Sequence, residues 1–127
     1  MHPNLEVAQR GYRAFADGDV AGISATMADD VVWHAETGHL SGDYEGRDAV
    51  LGYLGQIMAE TGGTFSNEIH DMLANDDHVT VLTRMTGERN GKHLDMAAVH
   101  VLHVADGQMK EFWSFNADRA AVEDFWS

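Results

Sequence analysis

The stretch MADDVVWHAETG, Met27 to Gly38, decides how the chain is read, because it follows an amphipathic helix ending in DGDV (Asp17 to Val20) and precedes the helical run GRDAVLGYLGQIM. A strand fed by two short helices and covered by a third begins a small α+β cone. In the first helix Leu5, Ala8, Tyr12 and Phe15 recur at helical spacing, with Asn4 expected to cap the free amides and Gly18 to end the run. Asp19 then caps a shorter helix in which Val20, Ile23 and Met27 share a face. Val31 to Ala35 reads as a short strand, and Glu36 to Gly46, which holds Gly38, Gly42 and Gly46, as a loop arching over a pocket. From Arg47 the helical period returns at Val50, Tyr53, Leu54, Ile57 and Met58. Gly52 and Gly55 interrupt it at about 1 kcal/mol each relative to Ala, so close packing against the sheet is expected there.

The second half is strand throughout. Phe65 to Ala74, Val79 to Glu88, His93 to Val104 and Met109 to Asn116 are rich in β-branched or aromatic residues. They are separated by Asn75 to Asp77, by Asn90-Gly91 and by Asp106-Gly107, and the last two pairs tolerate the positive backbone angles of primed hairpin turns. An antiparallel meander follows, long enough to twist and curl around the three N-terminal helices, with a cavity at its wide end. Ala117 to Trp126 adds a terminal helix. The 127 residues read as one domain, large enough to bury roughly two-thirds of the unfolded surface.

Composition excludes several functions. With Cys 0 there is no disulfide framework, thiolate nucleophile or cysteine metal cluster. Lys plus Arg total 8 against 21 Asp plus Glu, a formal net charge of -13, and no basic cluster appears, so nucleic acid and anionic membranes are poor partners. The same field disfavours anionic ligands. MHPNLEVAQRGYR lacks an apolar signal-type core and no apolar run approaches a membrane span, which points to the cytoplasm.

GYRAFADGDV, MADDVVWHA, GDYEGRDAVLGYL and HVADGQMKEFWSF resemble, in order and spacing, the SnoaL-like branch of the nuclear transport factor 2-like superfamily. That superfamily includes ketosteroid isomerases, polyketide cyclases and limonene epoxide hydrolases. The resemblance implies the cone fold, a homodimer formed through the outer sheet face and small-molecule ligands; it says little about the chemistry, since this fold hosts enzymes, binders and interaction modules. In the isomerases a catalytic aspartate follows the first strand, where this chain has Ala35. Their second carboxyl lies in the fourth strand, where this chain has Val99 and His100. In the cyclases the acid-base aspartate lies in or after the last strand, which makes Asp118 the candidate.

Histidines and aromatics remain. His34 ends the first strand, His39 sits in the loop, His70 is in the second strand, and His100 and His103 are in the fourth. A histidine near neutral pKa is the commonest proton-transfer group, although strand histidines more often hydrogen-bond across a sheet or face solvent. His34 and His100 are the candidate bases. Ala98, His100 and Leu102 share one face and Val99, Val101 and His103 the other, so one of His100 and His103 points inward. Tyr12, Trp33, Tyr53, Phe112, Trp113 and Asn116 are candidate ligand contacts, against the plainer reading of the aromatics as core. Arg84 would hold a ligand carboxylate, or else pair with Glu88 or a cross-strand acid on the surface.

No HxH lies on a strand, no HExxH on a helix, and no glycine-rich phosphate loop or GxSxG elbow is present. Neither a metal nor an organic cofactor is expected. Two functions fit: a cofactor-free isomerase, cyclase or hydratase acting on a small, mostly apolar carbonyl or hydroxylated compound, or a non-catalytic ligand-binding or dimerisation module.

Overall fold

The computed structural model describes residues 2–127. Helix α1 (Pro3–Asp17) is capped by His2, whose Nδ1 accepts from the Asn4 N–H at 3.1 Å, and Gly18 closes it in the left-handed conformation at φ 67. Asn4, the expected cap, is buried one position inside the helix. Its Nδ2 donates to the carbonyls of Asn75 and Asp76 and ties the start of α1 to a distant turn. Asp19 caps α2 (Val20–Ala25) as expected, accepting from the Gly22 N–H at 2.9 Å.

Strand β1 (Met27–Ala35) begins earlier than the apolar pattern indicates, because Ala28, Asp29 and Asp30 carry no β-former signal yet continue the extended chain. The expected loop is more structured than its glycines suggest. It contains a 3-10 turn at Gly38–Leu40 and an edge strand β2 (Gly42–Glu45) that pairs antiparallel with β1. Helix α3 (Arg47–Glu60) then carries the chain to the opposite edge, where β3 (Ser66–Ala74), β4 (His78–Arg89), β5 (Lys92–Ala105) and β6 (Gln108–Asn116) form the expected meander. Asn90 and Gly91 have φ 51 and 77, and Asp106 and Gly107 φ 54 and 75, as type I′ turns require. The chain ends in α4 (Arg119–Trp126).

The sheet is six-stranded and curved, in the order β2-β1-β6-β5-β4-β3. An all-antiparallel sheet is corrected at one place, since β1 and β6 run parallel. Three hairpin reversals after α3 return β6 alongside β1 in the same direction, and alternation along a strand carries no information about direction. The concave face, with α1, α2 and α3 against it, buries Met27, Val31, Val50, Val79, Val81 and Val104 almost completely, each such side chain contributing about 1.5–3 kcal/mol. A second cluster around Tyr53, Leu94, Met96, Val122, Phe125 and Trp126 closes the wide end. Among the described residues no helix is long and apolar enough to cross a membrane.

Gly52 and Gly55 do not pack against the sheet. A Cβ at either position meets nothing within 4 Å, and both face solvent on α3. Changing both to Ala is therefore expected to raise unfolding stability by about 1–2 kcal/mol, read as a higher denaturant midpoint at unchanged slope. A lower midpoint would show that these glycines are needed for packing after all.

Candidate functional site

The period of two along the inner strands decides which side chains meet. On β5, Leu94, Met96, Ala98, His100, Leu102 and Val104 are buried, and on β6 Phe112, Ser114 and Asn116 share the inward face. With Tyr12 and Phe15 from α1, Trp33 from β1, Tyr53 from α3 and Trp126 from α4, the side chains of Leu94, His100, Leu102, Phe112, Ser114 and Asn116 line a cavity of about 110 Å³. Its walls are aromatic and aliphatic, with Trp33 stacked on Phe112 at 3.7 Å between ring centroids. Neither Lys nor Arg is among the lining residues, and Glu36, just past β1, is their one carboxylate.

Tyr12 and His100 form the polar centre. The Tyr12 hydroxyl lies 2.5 Å from His100 Nδ1, with the rings 9° from parallel. His100 is 4% exposed, and burial lowers its pKa to about 4, whereas burial raises that of the Tyr12 phenol. Both are neutral at pH 7. The proton runs one of two ways: Tyr12 donates to Nδ1 and leaves Nε2–H as donor, or Nδ1–H donates to Tyr12 and frees the phenol O–H. Either way the pair presents one donor. Nearby, Tyr53 and Thr37 share a hydrogen bond of 2.5 Å between their hydroxyls, and burial raises the Tyr53 phenol. Asn67 and Asn116, also lining the cavity, each have a buried Oδ1 without a hydrogen-bond partner.

Tyr12, Trp33, Tyr53, His100, Phe112 and Asn116 thus meet in one cavity, and His100, not His103, is the inward histidine. Four other candidates do not reach it. His34 follows inward Trp33 and so points to the outer face, as does Trp113, which follows inward Phe112 and stacks on His34 at 5.5 Å between centroids. Arg84 is also outside, its Nε 2.5 Å from Asp95 Oδ1, the cross-strand surface pairing. Asp118 caps α4 by accepting from the Ala121 N–H at 3.1 Å, which occupies its carboxylate in a structural role. Asn67 and Glu36 also line the cavity and carry no site signal in the sequence. An amide on a half-exposed strand and an acid at a loop entrance stand out only once the curled sheet brings both to the same cavity.

His34 has its own chemistry. Its Nδ1 lies 2.7 Å from Asp43 on β2 and its Nε2 bonds Glu111 on β6, so one ring links three strands. Carboxylates only accept, hence both nitrogens donate and the ring is the imidazolium. The Glu111 bond first and the Asp43 bond second raise its pKa above 6.5. This stabilisation is full below about pH 6.5 and is lost as pH rises through the raised folded value. The melting-temperature gap between the wild type and His34→Gln is expected to narrow steadily from pH 6 to pH 9; a constant gap would show a neutral His34.

Residues 8–112 match the SnoaL-like domain. The chain belongs to the SnoaL-like family. An uncharacterized protein of Mycobacterium tuberculosis is 35% identical over 126 residues, covering 98% of this chain and 96% of its own. Among solved structures, Bal32a from a soil-derived mobile gene cassette superposes with a TM-score of 0.94 at 32% identity, over 98% of this chain and 97% of its own. TerC, co-crystallized with polyporic acid, has a TM-score of 0.85 at 24% identity and 98% coverage of both chains, which shows the shared fold. Within this SnoaL-like domain the matched segment runs from α1 to β6 and therefore contains Tyr12, Trp33, His100 and Phe112.

Proposed function

We propose that this SnoaL-like chain binds a small, mostly apolar carbonyl or hydroxylated compound in the cavity and acts on it, without a cofactor, as an isomerase, cyclase or hydratase. The observation that carries this reading is the buried Tyr12–His100 hydrogen bond inside a cavity whose walls are mostly aromatic and aliphatic. With Nδ1–H donating to Tyr12 and the phenol O–H donating to a ligand carbonyl, the two bonds polarise each other in a low-dielectric site. Negative charge developing on that oxygen is met by a donor already in place. His100 itself is a poor general base, because a pKa of about 4 is far from the working pH. The carboxylate of Glu36 is the better acceptor for a proton taken from carbon next to the carbonyl, returning it elsewhere on the enolate to complete an isomerisation. The fold shared with TerC, a protein crystallised with polyporic acid, agrees with a ligand-holding cavity.

The test is mass spectrometry of ligand extracted from the purified protein, followed by incubation with neutral ketones and enones. A neutral oxygenated ligand that is converted supports the reading. A ligand that stays bound and unchanged overturns the enzymatic half and leaves the binding module. Absence of binding at millimolar concentration overturns both.

The outer sheet face supports a homodimer. Leu82, Val99 and Phe115 lie side by side across three strands, and Phe115 and Leu73 are 54% and 55% exposed. A second copy would bury this strip. Light scattering at micromolar concentration is expected to give twice the chain mass, and Phe115→Asp to give the monomer; a monomeric wild type would end the idea.

A further inference from the structure

The cavity has a second pole. Asn116 stands opposite Ala98 on β5, and Ser114, opposite His100, lies one pleat away on the same inward face. The Tyr12–His100 pole and Asn116 are thus about 7 Å apart along the strand. Asn67, from β3, faces the same cavity from the far side of the sheet. Both carboxamide oxygens are buried with no partner among the described residues, whereas buried polar groups are nearly always paired, and each orphan costs stability. No cap, turn or strand contact accounts for them.

Resting on the reading above, we propose that Asn67 and Asn116 form a hydroxyl-binding subsite, so that the molecule taken is an uncharged hydroxy-ketone on an aromatic or alicyclic frame. A carboxamide can turn over to present its NH₂ in place of its oxygen, and a hydroxyl, donor and acceptor in one group, matches both presentations. An ether or second ketone only accepts. A carboxylate or phosphate fails for a different reason: no lining Lys or Arg compensates the charge, and Glu36 repels it. The frame between the two poles faces Trp33, Phe112, Phe15 and Trp126, which favour a flat ring.

The probes are 4-hydroxyacetophenone, acetophenone and 4-acetylbenzoate, with dissociation constants measured by ligand-observed NMR on the wild type, Asn116→Leu, Asn67→Leu and Tyr12→Phe. The phenol is expected to bind about 3–10-fold more tightly than acetophenone, and 4-acetylbenzoate more weakly than either. In at least one Leu variant the phenol's advantage disappears. That variant also melts higher by roughly 2–6 °C, because an orphan amide has been replaced by an apolar group of similar shape. A structural role for the amides would lower the melting temperature instead. Equal affinities for the phenol and acetophenone in the wild type, or an advantage kept by both Leu variants, would overturn the subsite. Acetophenone binding that is unchanged in Tyr12→Phe would overturn the Tyr12 pole while the Asn dependence is still read from the phenol ratio. Failure of all three probes to bind overturns both.

Discussion

Replacing Tyr12 by Phe is expected to lower turnover of the cavity's substrate by about 10²–10³-fold while leaving the fold in place. The estimate is the loss of one preorganised donor to a developing oxyanion in a site shielded from water. Phe keeps the ring that stacks beside His100, so most of the packing survives. What is lost in the resting protein is the partner of His100 Nδ1, a buried nitrogen whose orphaning costs about 1–3 kcal/mol. Rate and stability therefore both fall, but by different means, and kinetics on the folded fraction separate them. The effect belongs mainly in kcat, because the interaction strengthens as charge develops. A kcat within twofold of the wild type would remove Tyr12 from the chemistry and return the pair to a structural role.

The second large effect concerns Trp126, which is 2% exposed at the end of α4 and forms part of the cavity wall. Its ring meets Phe125 edge-on at 5.0 Å, its backbone carbonyl accepts from His39 Nδ1 at 2.8 Å, and Arg89 sits 5.9 Å above its ring. Gly38, held at φ +56, lies so close that a Cβ there would clash with Trp126 Cβ. Trp126→Ala is expected to cost about 3–5 kcal/mol, a large share of the 5–15 kcal/mol typical of a domain. Chemical denaturation measures it. A loss below about 1 kcal/mol would mean that α4 contributes little to closing the wide end.

The parts of the fold legible in the sequence were those fixed by local chemistry. Asn90-Gly91 and Asp106-Gly107 specify their turns because both residues must take positive φ, and once those turns are set the register of β4, β5 and β6 follows. Alternation along β5 separates His100 from His103 in the sequence, and the packing of the sheet decides that His100 is the one in the cavity. Applied to β1 the same alternation separates Trp33 from His34, and a histidine's suitability for proton transfer does not say which face it takes: His34 lies on the outer one. Asp118 misled in the same way, since a carboxylate just before a helix is more readily a cap than an acid. What could not be read was set by distant partners. Asn4 caps nothing because carbonyls at Asn75 and Asp76 take its amide, β2 forms because β1 offers an edge, and Asn67 matters only once β3 curls over the cavity.

The parallel pairing of β1 with β6 also bears on how the protein comes to exist. Met27 stands beside Met109, so this contact closes a loop that holds β3, β4 and β5, and such long-range closures form slowly because their entropy is spent before they are rewarded. Helices α1 to α3 and the hairpins from β3 to β6 are built from near neighbours in sequence. Only their joining stacks Trp33 on Phe112 and gives the cavity its far wall. The cavity is thus complete only when the pairing with the widest sequence separation has formed, and a ligand that fits it would favour the joined state by mass action.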